Sequence, residues 1–270
     1  GLMYRIAFMQ RAIYLAQRGK AHVSPNPMVG CVIAKGDRII GEGWHAAFGG
    51  PHAEVVAADS AAEPISGSDV YVTLEPCSHT GKTPPCVDRL IREQVGRVFV
   101  GLTDPNPRVN GAGIRKLREA GITVVTGCLE DQCRELNRYF IHHMTTGRPY
   151  VILKAAVTLD GFLADTAGSS KWITSAESRE KVHRTRASVD AVLVGAGTVR
   201  SDNPRLTVRG VPGRDPRPII LTRSGNIDPE SHVFREGAIL VTPPGAISRA
   251  ASDTLKQEGV DVLEGESQDL

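Results

Sequence analysis

The stretch HAEVVAADSAAEPISGSDVYVTLEPCSHTGKTPPC, from His52 to Cys86, constrains this chain more than any other part of it. A histidine opens a helical run, a Pro-Cys pair follows the strand-like DVYVTL, and a second cysteine comes nine positions after the first. One nitrogen and two sulfurs are a donor set that suits zinc. As ligands, His52, Cys77 and Cys86 oblige a helix start and a strand end to meet. Three protein ligands leave the fourth tetrahedral position for water, the catalytic arrangement, whereas structural zinc sites close with four. His79, between the cysteines, keeps a fourth ligand open as an alternative. Cys77 follows Pro76 and Cys86 follows Pro84 and Pro85, both expected at helix starts, where backbone N–H groups favour the thiolate a metal needs. Two thiolates neutralise the zinc charge, so a separate base must share the proton. Glu54, two residues beyond His52, is the candidate. Cys31, Cys128 and Cys133 are expected to be small core hydrophobes.

Around this stretch, strands alternate with helices. MVGCVIA (28–34) and RIIGEGW (38–44) are expected strands joined by the turn signal KGD. Further strands are expected over 69–74, 97–102 and 122–125, with helices over 52–62, 84–94, 112–120 and 130–144. The N-terminal stretch is an amphipathic helix with Ile6, Met9 and Ile13 on one side. This alternation predicts an α/β fold with a mostly parallel sheet and helices on both faces. TTGRP (145–149) is the linker candidate, separating a domain over 1–146 from a second α/β domain over 147–270. The second starts on a strand in YVILKAAVTLDGFLA and continues with a helix over 175–187 capped by Ser175. DAVLVGAGT is expected to be a buried strand leaving into a loop, followed by the strands RPIILT and AILVT, the helical ISRAASDTLKQEG and the strand VDVLE. Its sheet is small, so the domain is expected to lack its C-terminal part.

The chain's 270 residues are 41% hydrophobic, and its apolar runs are strand-sized, too short for a membrane span. A net charge of +2 and 5% aromatic content give neither the field nor the stacking surface of a nucleic-acid binder. Five cysteines without a visible secretory signal point to a reducing cytoplasm.

H-x-E followed by P-C and a second cysteine resembles the zinc-dependent nucleobase deaminases, in which zinc activates a water and a non-ligating Glu protonates the leaving amine. The general signature is P-C-x-x-C, whereas SHTGKTPP separates the cysteines here. TLEPCSHTGKTPPC is instead similar to the deaminase branch of riboflavin biosynthesis, as are SPNPMVGCVIA, GWHAAFGGPHAE and GLTDPNPRVNGAG. The resemblance covers nearly all of residues 3–145 and implies a cytidine-deaminase-like three-layer domain. The implied substrate is a diamino-ribosylamino-pyrimidinone 5′-phosphate that loses an amino group to become the uracil. It implies Asn26 on the substrate, with His45, Lys82, Asp104 and Asn106 lining the pocket.

The second domain shows no G-x-G-x-x-G after a strand, which gives no support to a Rossmann dinucleotide site. Polar and basic loop residues, including Arg186, Arg205 and Arg209, suit an anionic ligand. GSSKWITS and HRTRASVDAVLVGAGTVRSDNPRLTVR are similar to the reductase half of the bifunctional riboflavin deaminase–reductases, a fold like dihydrofolate reductase. The resemblance implies that NADPH reduces the ribosyl group to ribityl, with Lys154, Ser170, Arg186, Leu206 and Arg209 on the substrate. It places Ala156, Trp172, Thr198 and Asp202 along the cofactor, and it implies a homo-oligomer, a dimer. A deaminase of another nucleoside or nucleic-acid base, with a non-reducing second domain, is the alternative reading. A zinc-stabilised, non-catalytic module is a third.

Overall fold

In the strands before residue 130, side chains of alternating direction build two cores, one on each face of a five-stranded sheet. A computed structural model describes residues 5–79, 84–106, 109–157 and 175–265. The chain divides between Leu153 and Lys154 into two compact units.

In the first unit, β1 (Gly30–Lys35), β2 (Arg38–Trp44), β3 (Asp69–Leu74), β4 (Arg97–Leu102) and β5 (Thr123–Thr126) lie in the order β2-β1-β3-β4-β5. β1 pairs antiparallel with β2 and β3, while β3, β4 and β5 pair in parallel. The period-2 geometry of strands sorts the side chains. Cys31, Ile33, Val70, Val72, Val98 and Val100 face one core. That core is closed by α2 (Ala53–Asp59), α3 (Cys86–Arg92) and α4 (Ala112–Glu119) through residues such as Ala57, Leu90 and Leu117. Val32, Tyr71 and Phe99 face the other, under α1 (Ile6–Ala16) and α5 (Glu130–Leu136). There the Tyr71 and Phe99 rings stack with centroids 4.6 Å apart. Helix, sheet and helix form the three layers. The buried stripe of α1 begins at Met9 and continues through Ala12, Ile13, Leu15 and Ala16, and Ile6 stays exposed, unlike the expectation.

Two features of this unit position the site. A Cβ on Gly43 would come within 2.4 Å of the Ala57 nitrogen and 2.5 Å of the Ala53 oxygen. The backbone of α2 therefore rests directly on β2, which only a residue without a side chain permits. The expected helix over 130–144 is in fact two, α5 and α6 (Arg138–Thr146), broken at Asn137. The buried Asn137 side chain accepts from the Met28 N–H and donates to the Met28 carbonyl, both at 2.8 Å. A side chain turned to that task stands where the helix is interrupted. Asn137→Ala removes the partner of two part-buried Met28 backbone groups, and we predict a loss of about 1–3 kcal/mol in urea unfolding; a loss below about 0.5 kcal/mol would contradict the clamp.

The second unit holds β6 (Ala191–Gly195), β7 (Arg217–Leu221), β8 (Ile239–Thr242) and β9 (Asp261–Glu264), parallel and in sequential order. α7 (Ala176–Ala187) is capped as expected, Ser175 Oγ accepting from the Ser178 N–H. Ser248 caps α9 (Arg249–Gln257) in the same way. Ala196, Val199, Ile220, Leu240 and Leu255 form its core. DAVLVGAGT departs from expectation twice. Among the described strands β6 is the outermost, with Leu193 exposed, and it passes straight into α8 (Ala196–Asp202) rather than a loop. Residues 151–157, expected as a strand, adopt no regular secondary structure and expose Val151, Leu153 and Val157. Strand formation depends on a pairing partner as much as on apolar residues, and no described strand pairs with this run. Among the described residues, no helix is long and apolar enough to cross a membrane.

Candidate metal centre and anion cleft

His52 is the N-cap residue of α2, in extended conformation, and its ring makes no capping bond. That leaves the imidazole free to turn toward the end of β3. Cys77 lies in the loop after β3, and Cys86 is the first residue of α3. His52 Nδ1 is 3.2 Å from Cys86 Sγ and 3.5 Å from Cys77 Sγ, and the three donor atoms all lie within 4.8 Å of one another. Zinc bonds of about 2.3 Å to sulfur and about 2.0 Å to nitrogen, at tetrahedral angles, separate N and S by about 3.6 Å. The donor set and its spacing fit zinc. His79 is exposed and stands outside the cluster.

Cys77 corrects one expectation: no described helix starts there. Its sulfur instead accepts from the Cys86 N–H at 3.3 Å. A hydrogen bond from the Cys86 thiol, with help from His52, lowers the Cys77 pKa to about 4, and the same bond with burial pushes Cys86 well up. The two sulfurs are thus driven apart, Cys77 toward the thiolate and Cys86 toward the thiol. The bond to Cys77 raises His52. Cys31, Cys128 and Cys133 are buried core residues, and burial raises each of their pKa values.

Glu54 stands in the first turn of α2, 4% exposed. Burial, and secondarily the Cys77 charge, raise its pKa from 4.5 to about 7. A carboxyl whose native pKa is raised binds its proton more tightly folded than unfolded. Its contribution to stability is full below pH 4.5 and is lost as pH rises through 7. The shift corresponds to about 3 kcal/mol. In metal-stripped protein, Glu54→Gln should therefore match the wild type in urea unfolding near pH 4.5 and gain by about 3 kcal/mol at pH 8. Parallel pH curves for the two proteins would contradict this.

Asn26 Nδ2 lies 3.1 Å from His45 Nε2, and His45 Nδ1 lies 3.0 Å from the Pro51 carbonyl. With Nδ1–H donating to that carbonyl, Nε2 accepts from Asn26, so both ring nitrogens of the buried His45 have protein partners. His45 thereby orients Asn26. Its ring also meets that of His52 edge to face, at 5.8 Å between centroids. Asp104 is half-buried, accepts from the Asn106 N–H at 2.8 Å, and has its pKa raised, chiefly by burial. Lys82 lies outside the described residues. Two residues of this region escaped the sequence reading. Asn137 holds the backbone next to Asn26 and Pro27, and Glu75 holds the backbone at Asp104. A glutamate closing a buried strand just before Pro-Cys was the available signal for the second; nothing in the sequence marked the first.

In the second unit, Arg186, Leu206, Arg209 and Asp202 line an open cleft of about 370 Å³, together with Arg205, Asn203 and His232. Arg186 Nη1 donates to the Thr207 carbonyl at 2.9 Å; burial and Arg209 lower its pKa. The Arg209 N–H donates to His183 Nδ1 at 3.2 Å, and burial together with Arg186 and Arg209 holds His183 below its ordinary value. Leu206 is buried at φ +54°, a conformation costly for a residue with a side chain. Thr198 is exposed on α8, and Lys154 and Ala156 lie in the irregular run, outside the cleft lining. Ser170 and Trp172 lie outside the described residues.

Comparison with known proteins follows the same division. Residues 4–102 match the cytidine and deoxycytidylate deaminase zinc-binding region, and residues 149–264 match the RibD C-terminal domain. A riboflavin biosynthesis protein RibD of Chlamydia pneumoniae is 47% identical over 85% of this chain and 62% of its own length. One from Aquifex aeolicus is 47% identical over 95% of this chain and 72% of its own. The chain thus spans between about 60 and 75% of such relatives. Among solved structures, Acinetobacter baumannii RibD superposes with a TM-score of 0.88 at 42% identity, covering 97% of this chain and 74% of that one. The Thermotoga maritima diaminohydroxyphosphoribosylaminopyrimidine deaminase/5-amino-6-(5-phosphoribosylamino)uracil reductase superposes at 0.83 and 44%, covering 97% and 81%. With 72% of the Aquifex aeolicus protein covered at 47% identity and 74% of the Acinetobacter baumannii protein at 42%, the chain belongs to the RibD family of riboflavin biosynthesis proteins.

Proposed function

We propose that residues 1–146 deaminate a diamino-ribosylamino-pyrimidinone 5′-phosphate to the aminouracil, and that residues 147–270 take part in NADPH-dependent reduction of its ribosyl group to ribityl. The observation that carries the first half is the meeting of His52, Cys77 and Cys86 beside the buried carboxyl of Glu54. His52, Cys77 and Cys86 would hold a zinc ion, which would supply Lewis-acid activation of a water for attack on the ring. Glu54 takes the water's proton and delivers it to the departing nitrogen, so water enters and ammonia leaves. One carboxyl can serve first as base and then as acid because the proton it takes is the proton it gives back. Asn26, its Nδ2 engaged by His45, offers Oδ1 to the pyrimidine, while Asp104 and Asn106 hold the ribosyl side and Lys82 the phosphate.

For the second half, Arg186 and Arg209 hold the phosphate against Leu206, with Lys154 and Ser170 on the rest of the substrate. Ala156, Trp172, Thr198 and Asp202 take the cofactor. NADPH supplies the hydride, and the protein's share is orientation and charge. The working unit is a homodimer in the cytoplasm.

A two-stage assay of the zinc-loaded protein tests this. Ammonia release from the pyrimidinone ribosyl phosphate is followed first, and NADPH oxidation after the cofactor is added. Both signals are the expected result. Ammonia without NADPH oxidation removes the reductase half of the proposal. A zinc-loaded protein that releases no ammonia from this substrate contradicts the deaminase half and brings the nucleoside alternative forward.

A further inference from the structure

Glu75 directly follows β3, two residues before Cys77, and is 5% exposed. A buried carboxylate ordinarily needs a cation; among the described residues, the hydrogen bonds to this one all come from backbone N–H groups. Oε2 accepts from the N–H groups of Asp104 at 3.0 Å and Gly111 at 2.9 Å. Oε1 accepts from Gly113 at 2.9 Å and, more weakly, from Ile114 at 3.4 Å. A single side chain thus pins both ends of the segment 104–113. The same segment is pressed against the metal-ligand loop: a Cβ on Gly113 would lie 2.1 Å from the Pro76 carbonyl oxygen. Gly111, at φ +80°, turns the chain into α4 at the point where Glu75 holds it.

We infer that Glu75 is a positioning residue for deamination: its carboxylate sets the distance between the Asp104–Asn106 substrate loop and the metal ligand Cys77. The inference rests on the deaminase reading above. The pairing requires a carboxylate. Four N–H donors converge on two oxygens that only accept, whereas an amide turns an NH₂ group toward one pair of donors. Glu75 is not one of the three clustered donor residues, and both its oxygens accept from backbone N–H groups. Its loss should displace the side of the pocket formed by Asp104 and Asn106, and leave His52, Cys77, Cys86 and Glu54 in place.

The test compares zinc-loaded Glu75→Gln with the wild-type chain in metal content, ammonia-release kinetics on the pyrimidinone ribosyl phosphate, and amide exchange over 103–115. The expected result is undiminished zinc, a KM raised at least about tenfold with kcat within about threefold, and faster exchange at Asp104, Gly111 and Gly113. Unchanged KM with unchanged exchange overturns the inference. So does loss of zinc from a folded variant, which would make Glu75 part of building the metal centre. Should Glu75→Gln not fold, Gly113→Ala is read by the same three measurements; it leaves the carboxylate intact and lifts α4 off Pro76. A wild type that releases no ammonia sinks the deaminase reading by itself. Exchange in the zinc-loaded variant then still decides whether Glu75 holds the loop.

Discussion

Glu54→Gln is expected to lower kcat for ammonia release by about a thousandfold while the protein keeps its full complement of zinc. Glutamine fills nearly the same volume in a site that is 4% exposed, so packing around α2 is kept. It cannot take a proton from water or return one to nitrogen, and both transfers are assigned to this single group. The metal should stay because its donors are His52, Cys77 and Cys86, none of which is touched. Zinc analysis and steady-state kinetics on the same preparation check both halves of the statement. A loss of less than tenfold would mean that another group carries the proton. It would also favour the non-catalytic zinc module, for which Glu54 has no task.

Removing a ligand should act differently. Cys77→Ala is expected to leave no stoichiometric zinc and no measurable deamination, and to make the thermal midpoint of the first unit insensitive to added zinc. Metal binding to a native site is folding free energy, so wild-type protein should gain stability with zinc where the variant does not. Cys77 is the sharper choice of the two cysteines. It sits in a loop rather than on a helix, and its sulfur accepts from the Cys86 N–H, while the Cys86 thiol lowers its pKa. NADPH binding by the second unit should survive, since that unit forms its own core around Ile220 and Leu240. Loss of both activities together would argue against independent units.

Much of this arrangement was legible because it is written in local patterns. The strands at 69–74 and 97–102 matched their expected limits, since their apolar runs are bounded by turn residues and buried on both faces. The convergence of His52, Cys77 and Cys86 was also foreseeable, because a ligand set gives donors at a helix start and beyond a strand end a reason to meet. What escaped depends on contacts distant in sequence. Asn137 looks like one more polar residue in a helical run, and its role appears only when Met28, 109 positions away, comes alongside. Glu75 looks like the flank of a motif until Asp104 and Gly113 fold back onto it. DAVLVGAGT has the composition of a central strand, but its burial is set by its outermost place among the described strands, which composition does not encode. The cleft residues Arg186, Arg205 and Arg209 were visible as a basic cluster, whereas His183 and His232 beside them were not.

The most direct test of the central claim is a zinc titration of metal-stripped protein, with ammonia release from the pyrimidinone ribosyl phosphate as the readout. Activity should rise in proportion to bound zinc and stop rising at one ion per chain. Ammonia released without zinc, or a chain that holds one zinc and releases none, would contradict the account.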